Sequence, residues 1–205
     1  MKIVVVSQRV DVYPNRDERR DALDQQLNSF LGVAGFLPVP VPNSFHLQST
    51  EESEGDNTLI SWLTTLKPNA LLLSGGNDIG SCRERDSTEN ELLDYAGRHG
   101  LPALGICRGM QMMGVWAGAG LKAVEGHVAT SHDLAGEITG KVNSYHNQSL
   151  SSLPSEFRVL ARSEDGELEA IAHNRLSWEG WMWHPERNES FDALDIRRLQ
   201  SLFVG

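Results

Sequence analysis

A lone cysteine among small residues, a histidine and a glutamate two positions apart, and a pair of adjacent glycines are the groups in this 205-residue chain whose types and spacing suit covalent chemistry. The cysteine is Cys107, in Leu104-Gly105-Ile106-Cys107-Arg108-Gly109-Met110-Gln111, where an apolar run meets a helix-like one. That layout predicts a nucleophile elbow. The turn from strand to helix is so sharp there that the nucleophile sits in a strained backbone conformation and its neighbours, here Gly105 and Gly109, must lack a Cβ. A helix head, with its unpaired N–H groups and positive dipole end, favours a thiolate, and the backbone N–H of Arg108 would be free to hold a developing oxyanion. A buried structural thiol is the alternative, because free cysteine is among the most buried residue types.

A cysteine nucleophile needs a base and commonly a third group to orient it. His184 and Glu186 flank Pro185 just after Gly180-Trp181-Met182-Trp183. The carboxylate can meet one ring nitrogen while the other faces the thiol, and the proline stiffens that spacing. A surface turn is the competing reading of His-Pro-Glu. Ser74-Gly75-Gly76-Asn77-Asp78 follows the apolar run Ala70 to Leu73, and glycines there let backbone N–H groups approach a substrate carbonyl. As a phosphate loop the segment is poor, since no Gly-Lys-Ser/Thr follows. Beside Cys107 it fits a second oxyanion donor.

All three motifs need strand ends. Lys2 to Ser7, Ala70 to Leu73 and Leu101 to Ile106 are short apolar runs of the kind that form strands buried on both faces of a parallel sheet. Between them the spacing predicts helices over Glu18 to Val33, Leu59 to Leu66 and about Thr88 to Arg98, with another leaving Cys107 as far as Ala117. Phe36 to Val41, punctuated by Pro38 and Pro40, reads as an edge strand, and His46 to Asn57 as a loop. Further strands are expected at Ile138 to Val142, Phe157 to Ala161, Leu168 to Ala172 and Trp178 to Trp183, with a closing helix at Phe191 to Phe203. Alternating strands and helices specify a doubly wound α/β sheet, whose ligands bind beyond the carboxyl ends of the strands.

The length suits a single domain over residues 1–205. A net charge of −10 argues against a nucleic-acid or anionic-membrane binder. No apolar run reaches transmembrane length and the opening residues lack a signal-peptide pattern, so a cytoplasmic protein is expected. Two cysteines, Cys82 and Cys107, are too few for a disulfide framework and lack zinc-site spacing. Arginines cluster at Arg16, Arg19 and Arg20 and at Arg83 and Arg85. They suit either a positive pocket or pairing with nearby acids such as Glu18, Glu84 and Asp86 on a solvated face, and the solvated face is the expectation. His127 and His132 read as structural, since two histidines hold no metal without a third ligand. The five tryptophans default to the core.

With Ser74-Gly75-Gly76-Asn77-Asp78, Arg85-Asp86-x-x-Glu89, Leu104 to Gln111, Val142-Asn143-Ser144-x-His146 and Trp183-His184-Pro185-Glu186-Arg187 in that order, the chain resembles the class I glutamine amidotransferase-like family, in its gamma-glutamyl hydrolase branch. The resemblance implies a flavodoxin-like, mostly parallel sheet with helices on both faces. It makes Cys107 the nucleophile, His184 the general base and acid, Glu186 its orienter, and Gly76 and Arg108 the oxyanion donors. Gly75, Asn77, Gln111, Ser144, Tyr145 and His146 would lie along the substrate. No cofactor or metal is implied.

The opening Ser7-Gln8-Arg9-Val10 and Glu18-Arg19-Arg20-Asp21 is similar to a branch acting on gamma-glutamyl-CDP-amidate in capsule assembly, releasing glutamate and cytidine diphosphoramidate. Arg9, Arg19 or Arg20 would then clamp the diphosphate of a small-molecule substrate. Other readings are hydrolysis of gamma-glutamyl-gamma-aminobutyrate or a polyamine conjugate, the glutaminase component of an amidotransferase, and an inactive binding module.

Overall fold

The computed structural model describes residues 1–48 and 58–204. The first half runs β1 (Lys2–Val6), β2 (Arg9–Tyr13), β3 (Glu18–Ala22), α1 (Gln25–Val33), β4 (Phe36–Pro40), α2 (Thr58–Leu66), β5 (Ala70–Leu73), α3 (Arg83–His99), β6 (Ala103–Ile106) and α4 (Arg108–Trp116). The second runs β7 (Leu121–Ala123), β8 (Val128–Gly136), β9 (Gly140–Tyr145), β10 (Gln148–Leu150), β11 (Phe157–Arg162), β12 (Leu168–His173), β13 (Trp178–Trp181) and α5 (Ala193–Val204).

Nine strands form one sheet in the order β4-β1-β5-β6-β13-β12-β11-β8-β9. The first five are parallel neighbours and the last four continue antiparallel. The parallel strands read as unbroken apolar runs because helices cover both faces. Strand alternation sends Val4, Val6, Leu72 and Leu104 to a core shared with Leu27, Phe30 and Leu31 of α1 and with Leu199 and Phe203 of α5. Val5, Leu71, Leu73 and Ala103 face the other way, against Leu63 of α2, Leu92 and Leu93 of α3 and Met110 and Met113 of α4. Pro38 and Pro40 stand in β4 at the sheet edge, where a missing N–H costs no ladder bond. Among the described residues no helix is long and apolar enough to cross a membrane.

Three local readings of the sequence are corrected. Glu18 to Ala22 is a strand, not the start of a helix. It pairs antiparallel with β2 around the turn at Pro14–Arg16, where Asp17 takes a φ of +49°. The helical repeat is real only from Gln25 on, where the Asp24 carboxylate caps the helix by accepting from Gln26 N at 2.9 Å. Helix α3 begins at Arg83, ahead of Thr88, because Arg85 and Glu89 pair one turn apart inside the protein and hydropathy gave no sign of that buried face. Ile138 sits between β8 and β9, not at the start of a strand, and these mostly exposed strands carry little apolar signal. The expected loop at His46 to Asn57 partly lies outside the described residues; Asn43–Gln48 is a short 3-10 turn.

Strand order then gathers the motifs. In the sheet β5, β6 and β13 are consecutive and parallel, so Ser74 to Gly76, Cys107 and the residues after Trp181 emerge side by side at one edge.

Candidate active site

Cys107 stands between β6 and α4 with φ +51° and ψ −106°, a strained conformation for a residue with a side chain. Its own N–H is held by Trp181 O at 2.7 Å, and packing holds the turn shut. A Cβ on Gly105 would lie 2.5 Å from the Gly109 carbonyl group, and one on Gly109 would overlap the carbonyl of Leu73. The two glycines are therefore required by close approach of backbone to backbone. Gln111 N bonds to Cys107 O at 3.1 Å as the first helical turn of α4, so the Arg108 N–H sits ahead of the helical ladder.

His184 is almost fully buried, and its Nδ1 lies 2.7 Å from Glu186 Oε1. Burial disfavours charge on the ring, but hydrogen bonds to Cys107 and Glu186 outweigh it, and the pKa rises to about 9. The imidazolium therefore persists at neutral pH, with Glu186 as its acceptor carboxylate. Pro185–Arg187 form a turn of 3-10 helix, which keeps Glu186 under the ring. Asn143 brackets the same residue: its Oδ1 accepts from His184 N at 2.9 Å and its Nδ2 donates to His184 O at 2.8 Å. Across the ring, a Cβ on Gly75 would lie 2.6 Å from His184 Cε1, so only glycine lets this loop touch the imidazole.

Behind the glycine loop lies a buried ion cluster. Arg85, with no exposed surface, donates Nη2 to Ser74 O at 2.7 Å and Gly75 O at 3.0 Å, and Nε to Glu89 Oε1 at 3.0 Å. Glu89 also accepts from Ser7 Oγ and pairs with Arg108, which pairs in turn with Asp86. One carboxylate thus ties the glycine loop to the first residue of the elbow helix. Sequence reading placed Arg85 on a solvated face; the spacing Arg85-x-x-x-Glu89 was the available signal for a pair one helical turn apart. Asn143 stood in the quoted Val142 to His146 motif without a role of its own, because its work is done on backbone 41 residues away.

The other expected site residues divide. Arg9 lines a cleft of about 230 Å³ together with Gly75, Gly76, His184, Glu186 and Arg187. Arg19 and Arg20 are not among the residues lining it; they pair with Glu84 and Glu18 on the surface, as the solvated-face reading expected. Gln111 is buried beside the elbow with Nε2 on Gln148 O at 2.9 Å. Asn77 is engaged by Val10 through both ends of its amide, fastening the loop to β2. Alternation along β9 separates the last group. Tyr145 presents its ring edge-on to His184, with centroids 5.9 Å apart, whereas Ser144 bonds His127 O at 2.7 Å and His146 turns toward His127 and Gln148. The Ser144 and His146 side chains therefore point away from His184.

A strained thiol, a charged imidazole held by a carboxylate, and free N–H groups at a helix head can together perform acyl transfer through a cysteine adduct. The comparisons agree with that class. The glutamine amidotransferase class I model matches residues 40–196, and the chain belongs to that family. Among individual proteins, it is 29% identical over 133 residues to the gamma-glutamyl-CDP-amidate hydrolase of Campylobacter jejuni, an alignment covering 62% of this chain and 66%, just under two thirds, of that one. It is 30% identical over 156 residues to one of the subunits of the glutamine-hydrolysing GMP synthase of Thermococcus kodakarensis, covering 70% and 79%. A crystal structure of a candidate GMP synthase subunit from Thermoplasma acidophilum superposes with a TM-score of 0.71 at 18% identity, over 100% of this chain and 95% of that chain, and shares its fold.

Proposed function

We propose that this chain hydrolyses a gamma-glutamyl amide through a thioester on Cys107. The observation that carries the reading is the buried His184, joined to Glu186 at 2.7 Å, with the strained Cys107 among the groups that favour charge on its ring. In the proposed reaction the Cys107 thiolate, paired with the protonated His184, attacks the gamma-carbonyl carbon, and the backbone N–H groups of Gly76 and Arg108 hold the oxyanion. The C–N bond then breaks as His184 passes its proton to the leaving nitrogen. Water, deprotonated by the now neutral His184, attacks the thioester; the C–S bond breaks to release glutamate and the Cys107 thiolate beside the reprotonated His184. Glu186 keeps the imidazole in one tautomer and orientation. We assign Gln111, buried beside the elbow, and Tyr145, edge-on to His184, to the border of the glutamyl group.

For the amine half we favour a cytidine diphosphoramidate, as a cytoplasmic step of capsule assembly. Arg9 supports this: it faces the cleft beside His184, and its partner Asp11 is a half-exposed ion pair that a phosphate could displace. A second reading, a glutaminase chain passing ammonia to a synthase chain, is supported by the GMP synthase relatives.

A substrate panel assayed for glutamate separates them. Gamma-glutamyl-CDP-amidate is expected to be cleaved at least about tenfold more efficiently than glutamine or gamma-glutamyl-gamma-aminobutyrate, about 1.4 kcal/mol in transition-state stabilisation. Glutamine as sole substrate, with turnover rising only when a synthase is added, would replace the first reading by the second. Cys107→Ala is expected to abolish turnover of every substrate while leaving the melting curve in place; residual turnover near wild type would remove both.

A further inference from the structure

Four side chains that play no part in the reaction above converge behind β9. His127 precedes β8, His132 lies on it, His146 follows β9, and Glu169 belongs to the buried strand β12. One nitrogen or oxygen from each lies within 4.8 Å of all the others. The sequence offered only the first two histidines as neighbours, and folding supplies the third and fourth. We propose that His127, His132, His146 and Glu169 form a closed binding site for a zinc-class divalent transition metal.

The distances suit such an ion. His127 Nδ1 lies 3.2 Å from His146 Nε2, His127 Nδ1 lies 3.4 Å from Glu169 Oε1, and His146 Nε2 lies 3.6 Å from Glu169 Oε1. Ligand atoms about 2.0–2.1 Å from a tetrahedral zinc are separated by about 3.3 Å, so these three already form one face of such a tetrahedron.

Unsatisfied polar groups point the same way. Glu169 has no exposed surface, and neither carboxylate oxygen makes a hydrogen bond among the described residues. His132 Nε2 is likewise buried without a partner among them. A carboxylate left so is costly, and a cation held by it and the three imidazoles removes the cost.

The far sides of the rings are also occupied. His127 turns its other nitrogen, Nε2, to Asp165 Oδ2 at 2.8 Å, and His146 turns Nδ1 to Gln148 O at 3.0 Å. A carboxylate or a backbone carbonyl on the far nitrogen is how metal-bound imidazoles are oriented. Above His127 and His132 a hollow of about 240 Å³ opens to solvent past Glu125, Asp133 and Asp165, an acidic path for an incoming cation. Three imidazoles and one carboxylate suit zinc or its neighbours and not calcium or magnesium, which require six or more oxygens. Four protein ligands leave no open position, so the metal would brace the fold.

What it would brace is the wall of the site. Gln148 O, which receives His146, also receives Gln111, and Glu169 O receives Met182 N, two residues before His184. The metal site does not depend on which amide the enzyme cleaves.

The test uses the full chain, loaded with zinc, desalted and analysed for metal. About one zinc per chain is expected and no magnesium under the same treatment. Cobalt in place of zinc should give the strong visible bands of a tetrahedral ion. Glu169→Gln and His132→Ala should each lose the metal, while Cys107→Ala keeps it. Clearly substoichiometric zinc in folded wild type, weak octahedral-type cobalt bands, or full zinc in both ligand variants would overturn the proposal. Should both variants fail to fold, the wild-type cobalt spectrum decides: tetrahedral bands support the site and weak bands reject it.

Discussion

Replacing Glu186 with glutamine tests the electrostatics of the site most directly. The substitution keeps the size of the side chain and removes the charge 2.7 Å from His184 Nδ1, in a pair of which both side chains are nearly fully buried. The rise of the His184 pKa from 6.5 to about 9 corresponds to about 3 kcal/mol in favour of the imidazolium. Because burial opposes that charge, the hydrogen bonds and charges of Cys107 and Glu186 together supply more than this net figure. Losing one of the two is expected to lower the pKa by about one to two pH units. A glutamine amide can also donate to Nδ1 and hold the wrong tautomer, so kcat/KM should fall about 10²- to 10⁴-fold.

Glutamate release measured across neutral and alkaline pH reads both effects. In the wild type the rate should fall as pH rises through about 9, where His184 loses the proton the leaving nitrogen takes; in Glu186→Gln that limb should move toward neutrality. Stability follows the same sign. The pKa is higher folded than unfolded, so the contribution is whole below about 6.5 and is lost as pH rises through about 9. Wild-type denaturation midpoints should therefore decline over that window, and those of the variant should decline less. A variant whose rate and alkaline limb match wild type within about threefold would refute the assignment of Glu186 as the group that charges and orients His184.

Arg85→Met should destabilise the protein by about 3–5 kcal/mol in denaturant melts, because Glu89 then keeps only Arg108 and Ser7 in a fully buried position; a loss under about 1 kcal/mol would mean that the cluster does not hold the loop. Gly75→Ala should cut kcat about 100-fold or more with a much smaller change in melting temperature, since its Cβ would meet His184 Cε1 at 2.6 Å. Arg9→Ala should raise KM for a diphosphate-bearing substrate about tenfold or more, while Arg19→Ala and Arg20→Ala leave it unmoved. Equal effects at all three arginines would place the nucleotide outside the cleft.

Much of the fold was legible because the strands that build it are the strands that helices bury. Ala70 to Leu73 and Ala103 to Ile106 are apolar without interruption, and the edge strand β4 announces itself by its prolines. The β2–β3 hairpin and β8 were not legible, since they are mostly solvated and their pairing is set by turn geometry and backbone bonding. The same division runs through the site. Cys107, with glycines two before and two after, declares an elbow in one dimension, because steric exclusion acts between near neighbours. His184 and Glu186 declare their contact for the same reason, two residues apart with a proline between.

The doubly wound class and the local geometry of each strand-end motif could be read along the chain, because both follow from short-range sterics and from hydropathy with period two or 3.6. It took long-range packing to bring Arg85 inside to hold Ser74 and Gly75, to set Asn143 around His184, and to send Arg9 alone of the three arginines to the cleft. The same packing sets Glu169, a single acid in an apolar strand, against three histidines. Buried polar groups must find partners wherever the chain brings them, and partners separated by tens of residues leave no periodic trace in the sequence.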